Sequence, residues 1–389
     1  MPIPPDVVEA GSEAGRPFAW SEEHDEFRQF LRKKLQSLGT VEAARARLDD
    51  PTRPEAAWRI LCAELGIAGL TLPEEHGGSG FGRVEQAIVA EELGRALVGG
   101  PYLPTVVLAG EAILRSGDAD LAARLLPGIA EGATQAALAV AEGSPVWDLD
   151  GIGTTAAPTA SDGWALTGRK SAVIGAAEAD VLLVVARAAD GPGLFVVASG
   201  PGVSVHVLEA LDATRPIADV QLADATATRV GIDPLDLVEL VEVVRAGAAT
   251  YLAVEQAGGS AACVELTTAY AKDRIQFGVP IGRFQGVKHR LADMQVRTSL
   301  SYSAAIWAAW QVPGSPESAM GASVARAYCS EAFVQTAFDT VQLHGGIAIT
   351  WEHDAHLYLR RAQSSAALLG RPSDERARLV PHVEAEVRG

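Results

Sequence analysis

A few stretches carry residues whose types and spacing could do chemistry. One is Arg274-Ile275-Gln276-Phe277-Gly278-Val279-Pro280-Ile281, followed by Phe284-Gln285, His289 and Leu291-Ala292-Asp293-Met294. Another, further on, is Gln342-Leu343-His344-Gly345-Gly346. A glycine-rich run spans Gly77 to Gly82. Taken singly, each has a plain structural reading. Arg274 ends a helical pattern and precedes a Gly-Val-Pro turn, where a cation compensates the negative end of the helix dipole. Gly345-Gly346 reads as a helix C-cap. The Gly77–Gly82 run lacks the G-x-G-x-x-G spacing of a phosphate cradle and reads as a turn. His353 and His356 stand at i, i+3, a spacing open to a metal, but no third ligand accompanies them. They and His344 therefore read as surface or loop residues, and no metal site is expected. Cys62, Cys263 and Cys329 lie far apart and fit neither a disulfide framework nor a CxxC site, so a reducing cytoplasm is expected.

The elements that must position these residues fall into three blocks. Residues 1–130 read as helical. Ser21 can cap a helix with an acidic first turn, Glu22, Glu23 and Asp25, and with Phe27, Phe30, Leu31 and Leu35 at helical spacing. Further helices run through Trp58, Leu61 and Leu65, and through Val84, Ile88, Glu91, Leu93 and Leu97. Pro101 and Pro104 break the pattern, which resumes over Val106–Leu114. Residues 131–232 hold short apolar runs with no helical stretch between them, punctuated by Asp162-Gly163 and Asp190-Gly191. That pattern predicts an antiparallel β-domain. Residues 233–389 return to helix. Asp233-Pro234 starts a pattern that continues to Arg274, with Gly258-Gly259 marking close helix packing inside it. Helices follow over residues 284–310, 317–344 and 355–369, and together these read as a helical bundle.

Composition narrows the class of function. The 389 residues carry 32 Lys and Arg against 49 Asp and Glu, a net charge of −17, which disfavours nucleic-acid binding. Hydrophobic residues are 48% and charged residues 21%, ordinary for a globular protein. No run of 18 apolar residues suggests membrane insertion, and the acidic N-terminus does not resemble a secretory signal.

In combination the motifs are far more specific. RxQFGxPIxxFQ, then LADM, then QxxGG, in this order, resembles the acyl-CoA dehydrogenase family. LPEEHGGSG, EELGRAL, LLPGIAEG and the Leu211, Asp212, Thr214, Arg215 set fall in family order as well. The resemblance implies an N-terminal helical domain, a middle β-domain and a C-terminal four-helix bundle. It implies assembly as dimers or dimers of dimers, FAD as cofactor, an acyl-CoA substrate oxidised to the 2-enoyl-CoA, and an electron-transfer flavoprotein as acceptor. It also implies an FAD that straddles two chains, with its pyrophosphate and adenine end held by Arg274, Gln276, Phe277, Ile281, Phe284, Gln285, Gln342, Gly345 and Gly346. Arg274 would face the pyrophosphate with a planar, permanently charged fork.

The departures from the family pattern cluster at the flavin end. The family's Thr-Glu-Pro-Gly-x-Gly-Ser-Asp stands here as Ala141-Glu142-Gly143-Ser144-Pro145-Val146-Trp147-Asp148, without the flavin-contacting Thr. After Gly168-Arg169-Lys170, the family's aromatic and Thr are Ala172 and Ile174. The usual catalytic Glu falls at Leu369, and its alternative location on the long helix falls near Ala248. Glu255, two turns further along that helix, is the nearest substitute base. Three readings follow: a subunit of a hetero-oligomeric dehydrogenase resembling the sterol-degrading branch, paired with a paralogous chain; a homo-oligomeric dehydrogenase using Glu255; or a non-redox acyl-CoA-binding relative.

Overall fold

The computed structural model describes residues 19–50, 56–144, 146–160 and 163–388. The acidic N-terminal segment, Pro145 of the flavin-end motif and Asp162 of the first β-turn lie outside the described residues. The chain follows the helix, β, helix order expected of it.

The helical start comprises α1 (Glu22–Ser37), α2 (Thr40–Ala46), α3 (Ala56–Leu65) and α4 (Arg83–Arg95), then α5 (Glu111–Arg115) and α6 (Ala119–Ala130). Ser21 caps α1 by accepting from the His24 amide, as its sequence position requires. The expected break at Pro101 and Pro104 is milder than the prolines suggest. Tyr102–Gly110 forms a fully buried π-helical segment running directly into α5. Pro104 sits in its first turn, where a missing amide leaves no bond unmade.

The middle region holds β1 (Ala136–Ala139), β2 (Thr155–Pro158), β3 (Trp164–Ile174), β4 (Val181–Ala188), β5 (Gly191–Ala198), β6 (Val203–Val207) and β7 (Ile217–Arg229). Pairings β4–β2–β3–β7–β5 return to β4, closing the sheet on itself, with β1 and β6 as extra strands. Most pairs are antiparallel as expected, but β1 runs parallel to β4 and a single β2–β4 bridge is also parallel. The long connection after β1 permits this crossing. Strand periodicity explains the apolar run in β4. Leu182, Val184 and Ala186 fill the interior of the sheet, while Leu183 and Val185 face the helices.

The helical end comprises α7 (Pro234–Asp273), the hairpin strands β8 (Ile275–Gln276) and β9 (Val279–Pro280), then α8 (Gln285–Ala309), α9 (Pro316–His344), α10 (Ala355–Ala367) and α11 (Pro372–Arg388). Asp233 caps α7 by accepting from Leu235 N at 2.9 Å, and Pro234 begins it. The helices read from the sequence stop at residue 369 and do not include α11. Pro372 starts the helix, where proline is tolerated, and Pro381 lies within it.

Small residues let α4 and α7 touch backbone to backbone. A Cβ on Gly258 would sit 2.1 Å from the Glu91 carbonyl oxygen, and one on Gly94 2.1 Å from that of Glu255. Gly258→Ala should therefore force the two helices apart and destabilise the chain by roughly 1–3 kcal/mol. Gly286→Ala, where nothing lies within 4 Å, should be neutral or slightly stabilising. Chemical denaturation of both variants checks the pair of expectations.

Candidate active site and cofactor-binding surface

An apolar cavity of about 430 Å3 lies between the β-domain and the end of α10. The turn after β1 is the first element that shapes it. Lys170 is buried on β3 and donates to the Glu142 carboxylate at 2.6 Å and to the Val140 carbonyl at 3.1 Å. Glu142 in turn accepts from the amides of Gly153 at 2.7 Å and Thr154 at 3.0 Å. Burial opposes charge on Glu142, but Lys170 and these amides overcome it and hold the carboxyl down at about 2. Burial also draws Lys170 down to about 8, against the pull of Glu142, so both groups are charged at neutral pH. The pair fixes the backbone that carries Ala141. The amide of Gly143 donates to Ser171 Oγ at 3.1 Å, tying the turn to β3. Arg187 donates to the carbonyls of Leu149, Asp150 and Ile152 and so holds the loop carrying Trp147 against the cavity.

The second shaping element is a buried charge network under α10. Arg361 reaches Asp212 at 2.7 Å and Glu255 at 3.2 Å, and Arg215 pairs with the other oxygen of Glu255. Arg361 also donates to the carbonyls of Leu97 and Val98. Burial opposes the charge on Asp212 and on Arg361 alike. Their mutual attraction prevails, lowering the carboxyl and raising the guanidinium. Beside them Arg326, fully buried and drawn down to about 10 by that burial, donates to the carbonyls of Ser365 and Leu368. It thereby clamps the end of α10 and delivers Leu369, in a left-handed conformation at φ 58°, to the cavity wall.

Ala141, Ala172, Ile174 and Leu369 thus line one cavity. Four positions read from three stretches of sequence meet in space. Ala248 does not join them, being fully buried in the core. Glu255 also lies away from the cavity wall, with both carboxylate oxygens engaged by arginines. Motif comparison singled out neither Trp147, Gln363 and Ser364, which line the cavity, nor the role of Arg326 and Arg361. Buried arginines give no periodic signal that separates them from surface ones.

The remaining predicted residues gather at the far end of α7. Tyr270, in its last turn, stacks on His344 at 4.3 Å and donates to the His344 carbonyl at 3.3 Å, which joins the ends of α7 and α9. Arg274 and Gln276 are exposed on one side of this junction, Gln342, Gly345 and Gly346 on the other, and Gln285 opens α8. Phe277 is 90% exposed and holds φ 53°, in a two-residue turn with Gly278. Its ring meets Phe284 edge-on at 6.0 Å. Ile281 donates its amide to the Arg274 carbonyl at 2.8 Å and closes the hairpin. The reading of the histidines needs correction. His344 is buried beneath Tyr270 and His353, and its Nδ1 meets the Thr340 carbonyl at 2.7 Å, so it is neither surface nor loop. Burial lowers its pKa. No metal-competent cluster occurs among the described residues.

The two sites differ in their fit to FAD. Arg274 has no carboxylate partner among the described residues, and nothing lies within 4 Å of where a Cβ on Gly345 or Gly346 would stand. An exposed guanidinium beside an open glycine backbone suits a pyrophosphate. The cavity offers far less to a flavin ring. Only Trp147, Ser171, Gln363 and Ser364 among its lining side chains carry polar atoms, whereas a flavin ring edge presents several groups that need partners when buried.

The family profile described as acyl-CoA dehydrogenase, N-terminal domain, matches residues 21–133, and that of the acyl-CoA dehydrogenase C-terminal domain matches residues 247–377. The chain is 36% identical over 372 residues to acyl-CoA dehydrogenase IpdE2 of Mycolicibacterium smegmatis, covering 94% of this chain and 99% of that protein. Among solved structures it resembles a variant of the Tcur3481-Tcur3483 steroid ACAD, at 31% identity and TM-score 0.81, covering 95% of this chain and 99% of that one. It also resembles the ChsE4-ChsE5 complex from Mycobacterium tuberculosis, at 28% identity and TM-score 0.84, with the same coverage.

Two predictions come from the buried charges. Glu255→Gln leaves Arg215 without its carboxylate and should destabilise the chain by about 3–5 kcal/mol, measured by denaturation. A fall in turnover with unchanged stability would instead mark Glu255 as a base. Glu142 has a folded pKa of about 2, below its ordinary 4.5. It therefore stabilises the fold above about pH 4.5, and that contribution is lost as pH falls towards 2. Glu142→Gln should show a shallower loss of stability than the native chain across this window, read as melting temperature against pH.

Proposed function

The chain belongs to the acyl-CoA dehydrogenase family, FAD-dependent oxidoreductases, and from that premise we propose that it works as one subunit of a hetero-oligomeric acyl-CoA dehydrogenase. In this reading it lends the pyrophosphate-binding half of a shared FAD site to a paralogous chain that holds the flavin ring and the catalytic carboxylate. The observation that carries the reading is the contrast between its two sites. The exposed hairpin and glycine turn are intact, while the cavity has Leu369 where a base would stand.

Bound FAD supplies the hydride acceptor of the family's reaction. The work of this chain is to bind and orient. Arg274 would hold the pyrophosphate, its planar guanidinium supplying fixed positive charge and N–H donors. Phe277 and Phe284 offer apolar surface, and Gly345 and Gly346 let backbone approach the cofactor. Leu369 can neither accept nor release a proton, so proton abstraction from the acyl-CoA falls to the partner. An electron-transfer flavoprotein is the acceptor that family membership suggests. Exposed apolar side chains also favour an oligomer. Ile275, Phe277, Ile347, Ile349 and Trp351 cluster near the hairpin and glycine turn, and Val296, Leu300 and Phe338 lie on α8 and α9. Among the described residues no helix is long and apolar enough to cross a membrane.

The similarities to a steroid ACAD and to a two-component complex support a hetero-oligomer and a bulky acyl group. The homo-oligomeric reading draws no support from Glu255, whose oxygens are both taken by Arg215 and Arg361. A non-redox role leaves the exposed Arg274 hairpin unexplained.

Co-expression with a paralogous chain that has Glu at the position of Leu369 should give a yellow complex that dehydrogenates acyl-CoA. This chain alone should turn over slowly or not at all, since a positioned base contributes about 10²–10⁴-fold. Arg274→Ala in the complex should lower FAD occupancy, read from flavin absorbance, without changing the melting temperature of the apoprotein. A lone chain that is FAD-loaded and fully active defeats the proposal.

A further inference from the structure

We propose that Tyr270 is a positioning residue for the shared cofactor site. Acting through His344, it sets the glycine turn after α9 against the Arg274 hairpin, and the neutral stacked pair is the form that retains FAD. The proposal rests on the reading above that this surface receives the pyrophosphate end of the cofactor.

Tyr270 bonds to both halves of that surface. Its carbonyl accepts from the Arg274 amide at 2.8 Å, at the point where α7 gives way to the hairpin. Its hydroxyl donates to the His344 carbonyl at 3.3 Å, the last one before Gly345. Carbonyls in the final turn of a helix have no intrahelical amide to bond, so the phenol supplies a partner that α9 lacks. Gly345 then turns the chain at φ 66° and ψ −142°, a conformation that side chains disfavour. Any shift of the His344 carbonyl therefore re-aims the approachable backbone of Gly345 and Gly346. One turn earlier the Thr267 hydroxyl donates to that of Thr340 at 3.1 Å. The helices thus meet through two polar rungs, and Tyr270 makes the one beside the turn.

His344 is the member of the pair that can change state. Its ring stacks on Tyr270 with 4.3 Å between centroids and 27° between planes, and it faces His353 at 4.7 Å. Nδ1 lies 2.7 Å from the Thr340 carbonyl, which only accepts, so Nδ1 carries the proton of the neutral ring. Nε2 is buried and has no hydrogen-bond partner among the described residues. A second proton would put a charged donor there with nothing to receive it. The titratable groups facing the ring are Tyr270 from α7 and His353 from the turn before α10. Behind His353 stand Asp354 and Arg45 of α2, paired with each other. Burial lowers the His344 pKa below its ordinary 6.5, with the Thr340 carbonyl opposing and His353 assisting. The neutral stack is therefore complete above pH 6.5 and is lost as pH falls through the lowered value. Phenylalanine would stack as well and leave no buried nitrogen unpaired, so what histidine adds here is a response to acid.

The test is a titration of FAD into the apo complex of this chain with its paralogous partner, followed by flavin fluorescence. Native affinity should be steady near pH 8 and weaken as pH falls below about 6.5. His344→Phe keeps the stack, should bind FAD within about twofold of native near pH 8, and should lack the acid loss. Comparing the two profiles cancels groups that titrate in both complexes. Tyr270→Phe keeps the ring without the hydroxyl and should weaken FAD about fivefold near pH 8, the loss expected for one hydrogen bond. It should also move the acid loss to higher pH, because a loosened stack protonates more readily. Pair contacts that served stability alone would shift melting temperature and leave these profiles superimposed. Tyr270→Phe carries the test by itself if His344→Phe does not fold. Three results each overturn the proposal: the native acid loss persisting in His344→Phe, native binding that tightens in acid, or native affinity and profile in Tyr270→Phe. Arg274→Ala in the same titration separates the two readings. Weakened FAD binding there, with Tyr270→Phe behaving as native, defeats this proposal alone. Unchanged binding in Arg274→Ala defeats the reading beneath it as well.

Discussion

Four charged side chains buried together, Asp212, Arg215, Glu255 and Arg361, are the constraint on which the rest of the molecule depends. Each ion alone would be expelled from a low-dielectric interior, and each is tolerable only because the others are in place. They come from the loop before β7, the middle of α7 and the face of α10, so satisfying them fixes the β-domain against both helices. Arg361 reaches further, to the carbonyls at Leu97 and Val98 after α4. Leu97 is itself in a left-handed conformation, and a Cβ on Gly99 would lie 1.5 Å from the Thr214 carbonyl oxygen. The three blocks therefore interlock at one point, where apolar packing alone would leave relative sliding inexpensive.

The cavity inherits its shape from that point. α10 is anchored at Arg361, and one turn on Arg326 gathers the carbonyls at its C-terminus. A cation there is favoured by the dipole as well as by the hydrogen bonds. The wall position at Leu369 is thus set by side chains beneath α10 that do not line the cavity. On the opposite wall Lys170 and Glu142 do the same for Ala141. Two buried polar clusters hold an apolar surface between them, which allows the lining residues to change without loss of the frame.

The architecture was legible because its signals are local or repetitive. The capping serine and acidic first turn of α1, Asp233-Pro234 at the head of α7, and the dense apolar runs of β4 and β5 each have one cheap physical solution. The identity of the cavity was half legible. Ala141, Ala172, Ile174 and Leu369 could be aligned to a motif, yet nothing in their types says that they face one another. The parts that sequence concealed are those where tertiary context overrides a local rule. His344 suggested a loop, although stacking by Tyr270 and His353 buries it. Glu255 could be placed on the right helix, but periodicity does not reveal that two arginines from distant segments close upon it.

Backbone strain shows where this fold serves something beyond its own stability. Five described non-glycine residues hold a left-handed conformation: Leu97, Ala172, Asp224, Phe277 and Leu369. Leu97 belongs to the interlock, and Asp224 accepts from the Thr167 hydroxyl at its carboxylate and donates its amide to that same hydroxyl. Ala172 and Leu369 line the cavity. Phe277 has the least structural reason. A two-residue hairpin of this kind is made most easily by Asn-Gly or Asp-Gly. Phe277-Gly278 instead places a large aromatic ring in a disfavoured conformation and leaves it 90% exposed. Both choices weaken the isolated chain, and the edge contact with Phe284 recovers little of the loss. Strain of this kind clusters at ligand clamps and other functional sites. Phe277 stands three residues from Arg274, which has no carboxylate partner among the described residues, and Tyr270 joins this end of α7 to the glycine turn after α9, so the same end of the molecule presents apolar surface, positive charge and approachable backbone together. That combination is the one on which the proposed sharing of a cofactor between chains rests.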